Sequence, residues 1–221
     1  MNSDAQFISD TQAWLEKAVI GLNLCPFAKA VVVKQQLRYV VCQANDPEAV
    51  LKVLAHELTH LAQADPETLD TTLLIAPNLL PEFLDFNEFL FDCDAVLQSL
   101  DLEGVLQMAD FHPRYQFGGT TMDDIGNFTN RAPYPTLHLL REASIDKAVQ
   151  AFPEASQIYE RNIEVLEKLG QAGWEALGVG ASVDELLVAP VEQSYPLKEG
   201  IQVVDVMTAI RMVKDQEENH G

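Results

Sequence analysis

A chain of 221 residues, 48% of them hydrophobic, can build one sizeable core and gives no cause to divide it in two. Its 34 acidic residues stand against 14 basic ones, and the resulting charge of −20 repels nucleic-acid backbones and anionic bilayers. No apolar run approaches the ~20 residues that cross a bilayer, and Met1–Glu16 lacks the basic-then-apolar layout of a signal peptide. The three cysteines, Cys25, Cys42 and Cys93, are odd in number and have no paired spacing, which fits reduced thiols in a cytoplasm.

A first helix opens at Ser3, with Gln6 completing a capping box, and ends near Gly21–Asn23. Pro26 fits the first position of a short second helix through Ala30, which makes Cys25 its cap. Arg38–Gln43 reads as a strand. Asp46–Pro47 is a cap followed by proline at the first helical position, and Val50, Leu51, Leu54, Leu58 and Leu61 form the apolar stripe of the helix that follows. Thr71–Ala76 is a short, β-branched, apolar run and reads as a buried strand. Pro81 opens another helix that reaches Leu100, and Val105–Phe111 is a third strand. This alternation of strand and helix predicts parallel pairing through right-handed crossovers.

From His112 to Pro135 no period of 2 or 3.6 survives. Thr136–Leu140 is a fourth strand, Ser144 suits a helix cap, and Pro153 to about Gly178 is helical with a stop expected at Gly170. The expected architecture is a single α/β or α+β domain over 1–178, with a mixed sheet of about four strands and flanking helices. A ferredoxin-like arrangement is the alternative. Residues 179–221 form a helical C-terminal extension whose tail is polar from about 215.

Three constellations bear on chemistry. His56-Glu57-Leu58-Thr59-His60 matches the zincin pattern of two histidines one turn apart with a glutamate between them. At ~100° per residue, however, both histidines lie nearly opposite the leucine stripe, on a solvated face and without a third ligand. Zinc proteolysis is therefore set aside, and no metal is assigned. Cys25 would sit at the positive end of a helix dipole with Lys29 a turn away, and both should lower its pKa. A small buried residue at a helix junction is the plainer account of it.

The third is the stretch 111–142, the most informative part of the chain. Loops this long inside a domain are usually functional or disordered, and Phe111, Tyr115, Phe117, Phe128 and Tyr134 argue for burial. Of six arginines in the chain, Arg114, Arg131 and Arg141 fall here, and the planar guanidinium suits carboxylate or phosphate. His112 ends a strand, where open α/β sheets place their ligands, and suits a general base or a metal ligand. The plainer account is a loop tied down by buried Arg–Asp pairs.

These stretches also carry a resemblance. Asn23-Leu24-Cys25-Pro26-Phe27-Ala28, Thr71-Thr72-Leu73-Leu74, Asp85-Phe86-Asn87, Phe111-His112-Pro113 with Tyr115-Gln116-Phe117, and the run from Asn130 to Glu142 resemble the bacterial family called domain of unknown function 1415. The resemblance covers roughly residues 7–170. It implies no particular activity, cofactor or fold. It does place Cys25, His112, Asn130, Arg131, His138 and Arg141 on signature stretches, and His56 and His60 outside them.

The functional expectation is a cytoplasmic enzyme acting on a small anionic metabolite. Cys25 and His112 would be catalytic, and Arg114, Tyr115, Asn130, Arg131, His138 and Arg141 would bind substrate. A metal or haem site built from His112, His138 and Cys25 is the first alternative, and a non-catalytic binding or interaction module is the second. The cofactor is left open, and neither nucleic acid nor membrane is expected as a partner.

Overall fold

Ser3 starts the first helix as expected: its side chain accepts the Gln6 N–H. Helix α1 spans Asp4–Trp14 and widens into a π-helical stretch, Leu15–Ile20. Asn23, at φ 57°, then turns the chain into the loop that carries Cys25. A computed structural model describes residues 3–151 and 157–180, so the expected C-terminal extension lies almost wholly outside the described residues.

Helix α2 (Ala28–Val33) begins two residues after Pro26, and Phe27 rather than Cys25 takes the cap position. Strand β1 (Leu37–Val41) leads to α3 (Pro47–Gln63), where Asp46 accepts the Ala49 N–H and Pro47 opens the first turn. Strand β2 (Thr71–Ile75) is buried along its whole length, as its unbroken apolar and β-branched run requires. Helix α4 (Phe83–Ser99), strand β3 (Leu106–Phe111), a 3₁₀ turn (Ile125–Thr129) and strand β4 (Thr136–Arg141) follow.

Helix α5 (Glu142–Ala151) starts before Ser144, so Ser144 is no cap. Its hydroxyl donates instead to the Asp70 carboxylate. Helix α6 (Ile158–Leu177) does not stop at Gly170. It breaks there, at φ 67° and ψ 172°, and ends at left-handed Gly178.

The sheet order is β1-β2-β4-β3. β1 and β2 are parallel, as the alternation predicts. β3 shares their direction, but β4 inserts between β2 and β3 and pairs antiparallel with both. This mixed four-stranded sheet has the element order β-α-β-α-β-β-α, which is not that of the ferredoxin-like alternative.

The pleat divides the molecule. Leu74, Leu106, Leu137 and Leu139 face α3 and α4, meeting Leu54, Leu58, Phe86 and Phe89 in the larger core. Leu37, Tyr39 and Phe111 face the other way, toward Trp14, Val19 and Leu24 and toward Leu166 and Trp174 of α6. Successive strand residues point to opposite faces, so His138 shares the second face with its pairing neighbours Leu73 and Ala109. Among the described residues, no helix is long and apolar enough to cross a membrane.

Candidate functional site

The loop after α1, the start of α2, the second face of the sheet and helices α5 and α6 enclose a cavity of about 160 Å³. Its wall is mainly apolar, with Trp14, Phe27, Leu73, Phe111 and Leu140 among the larger contributors. Cys25, Asn130 and His138, more than a hundred residues apart at their extremes, meet in this wall.

Trp14 fixes one side. Its indole N–H donates to the Arg131 carbonyl at 2.8 Å, and its ring meets Phe111 edge-on. Asn162 fixes another by donating to the Leu24 carbonyl at 2.9 Å, which ties α6 to the loop carrying Cys25.

His138 is half-buried, and loss of bulk water holds its pKa down to about 4. At neutral pH it is an uncharged imidazole, able to donate at one nitrogen and accept at the other. Cys25 is not the low-pKa thiol that a helix dipole suggests. The Phe27 and Ala28 N–H groups do favour its thiolate, but burial outweighs them and pushes the thiol above its ordinary value near 9. A thiol raised above its ordinary value and an imidazole held near 4 both oppose proton transfer from Cys25 to His138. Alkylation of Cys25 by a neutral electrophile, followed by mass spectrometry from pH 5 to 11, should therefore rise through a single inflection above pH 9. A thiolate–imidazolium pair would add a plateau below pH 7.

The remaining candidates lie outside this wall. His112 is fully buried between Phe83 and Phe86, on the α4 side of the sheet. Its Nδ1 accepts the Arg114 N–H at 3.0 Å, which leaves Nε2 to donate to the Leu80 carbonyl at 3.1 Å. Both nitrogens are thus occupied, and burial holds its pKa down to about 3. In this arrangement His112 offers no lone pair to a substrate proton or to a metal.

Tyr115 is buried against Phe83 and Phe117. Arg114 pairs with Glu82 at 2.6 Å. Arg141 donates to the carbonyls of Leu61, Ala64 and Leu69. Arg131 lies over the Phe128 ring and donates to the carbonyls of Tyr115 and Met122; burial lowers its pKa to about 10, and its Nη1 has no hydrogen-bond partner. Arg131 and Arg141 thus hold the backbone of the 112–135 loop and the end of α3.

His56 and His60 stack on the open face of α3 with ring centroids 6.5 Å apart, and the His56 side chain is 75% exposed. Glu57 is buried and its carboxylate is held by Arg38 at 2.8 Å, with one oxygen 4.0 Å from His56 Nε2, so the pair with Arg38 rather than a metal-bound water occupies it. Among the described residues, no three His, Cys, Asp or Glu side chains form a group that could hold a metal ion.

Sequence reasoning passed over Asp70, Thr129, Ser144 and Asn162, which all line the cavity. Asn162 left a readable sign: it interrupts the buried stripe of Ile158, Asn162 and Leu166 on α6. The others left none.

No curated protein and no solved structure matches the chain. A family model described as "Protein of unknown function (DUF1415)" matches residues 6–176, nearly all of the described structure. The chain belongs to the DUF1415 family.

Proposed function

We propose that the protein binds a small, predominantly apolar molecule carrying at least one hydrogen-bonding group, within the cavity between the sheet and α1, α2, α5 and α6. The observation that carries this reading is the cavity itself: it joins apolar walls to the uncharged imidazole of His138, whose ring nitrogens hydrogen-bond to none of the described residues. A dry cavity of ~150 Å³ accepts a benzene-sized guest, and convergent polar groups in an apolar pocket mark a binding site. Catalysis by Cys25 and His138 is the second reading. It has in its favour that a nucleophile and a base share one wall, and the Cys25 alkylation profile separates it from simple binding.

An anionic substrate finds less support. Among the described residues, no Lys or Arg lines the cavity, and the buried arginine nitrogens without a hydrogen-bond partner, Nε of Arg114 and Nη1 of Arg131, belong to side chains outside its wall.

Calorimetric titration of the full chain with benzyl alcohol tests the reading. One saturable site, with a dissociation constant on the order of 0.1–1 mM for a ligand of this size, is expected. Heats that stay linear and do not saturate would remove the proposal.

A further inference from the structure

The charge of the cavity wall points to a narrower class of ligand. Among the described residues that line it, Asp70 is the only Asp, Glu, Lys or Arg. Its carboxylate accepts the Ser144 hydroxyl at 2.5 Å and makes no ion pair with a described cation. A half-buried carboxylate beside apolar side chains has lost part of its water and gains from a cation. Trp14, Phe27 and Phe111 add aromatic rings to the same wall, and their negative faces favour cations too. The −20 field of the whole chain draws cations toward the protein and repels anions.

Resting on the cavity reading above, we propose that the ligand is a small organic amine bound as its ammonium ion, with Asp70 holding the charge and the apolar wall holding a body of about benzene size. The ammonium reaches the Asp70–Ser144 end of the cavity, where Thr71 and Leu140 also lie. His138 lies further along the same face and suits a second, neutral hydrogen-bonding group on the ligand. This reverses the polarity expected from the arginine count.

Benzylamine, benzyl alcohol and benzoate share one shape and differ in charge. Calorimetry at pH 7.5 and physiological salt, on the wild-type chain and on Asp70→Asn, separates the possibilities. Asparagine keeps an oxygen for Ser144 and so preserves the tie that steadies the start of α5. The expected result is benzylamine binding about tenfold more tightly than benzyl alcohol, with benzoate weakest. Asp70→Asn should erase the amine preference, bringing benzylamine and benzyl alcohol to within about twofold of each other. Equal or tighter binding of benzyl alcohol or benzoate, or an amine preference that survives Asp70→Asn, overturns the amine assignment and leaves the cavity reading standing. Failure of all three probes to bind overturns both. Should Asp70→Asn not fold, raising the salt to 1 M is the substitute: it should weaken benzylamine selectively, and an unchanged ratio of amine to alcohol would count against the proposal.

Discussion

Lowering the pH from 7 to 5 should weaken the folded state by about 2 kcal/mol through His112 alone. The sign follows from where the proton binds. The folded-state pKa is about 3, because burial between Phe83 and Phe86 opposes a charge, while the unfolded chain titrates near its ordinary 6.5. The unfolded state therefore takes up the proton first. The contribution is fully present above 6.5 and is lost as the pH falls toward 3. His138, held down to about 4, acts in the same direction over a shorter span.

Titration of the many carboxylates also changes stability with pH, so the comparison that isolates His112 is with His112→Asn. Asparagine can still accept the Arg114 N–H but cannot reach the Leu80 carbonyl. At pH 7.5 the variant should be less stable by about 3 kcal/mol, and the gap should shrink to about 1 kcal/mol at pH 5. Urea unfolding at both pH values measures it. A gap that stays constant would mean that His112 is charged, or is reached by solvent, in the folded protein.

Arg141→Ala should destabilise the protein by about 3–5 kcal/mol and lower Tm by roughly 10 °C. Arg141 is 8% exposed, and its guanidinium donates to the Leu61, Ala64 and Leu69 carbonyls where α3 ends. It supplies donors to groups that helix geometry leaves unpaired, and a positive charge at the negative end of the helix dipole. Removing it takes the side-chain donors away from the half-buried Ala64 and Leu69 carbonyls and from Leu61. Lysine restores the charge but not the fork, so Arg141→Lys should recover less than half of the loss. Were Arg141 instead a ligand contact, alanine would change affinity and leave Tm within about 2 °C. Thermal unfolding distinguishes the two.

The local parts of the fold were readable because their causes are local. Asp46 and Pro47 start α3 by their own chemistry, and the β-branched run at Thr71 can only be a buried strand. The place of β4 was not readable. Its insertion between β2 and β3 depends on a register, Leu73 with His138 and Ala109 with His138, set by residues far apart in the chain.

The site divides in a similar way. The resemblance drew attention to Cys25, Asn130 and His138, and one cavity holds all three. The arginines pointed toward an anion because their residue type was visible and their acceptors were not. The fork that suits a carboxylate also suits two backbone carbonyls, and Arg131 and Arg141 use it on backbone carbonyls. Likewise, the composition could not reveal that both nitrogens of His112 are consumed by Leu80 and Arg114. Asp70 was hidden among 34 acidic residues, and only the fold gives it an apolar cavity to face.

The central claim is that a small molecule enters beside His138 while His112 belongs to the core behind the sheet. Histidine Cε1–H resonances report on both at once. Titration with benzyl alcohol should shift the His138 signal saturably and leave His112, His56 and His60 in place. A His138 signal that never moves, or saturable shifts confined to the other histidines, would contradict the account.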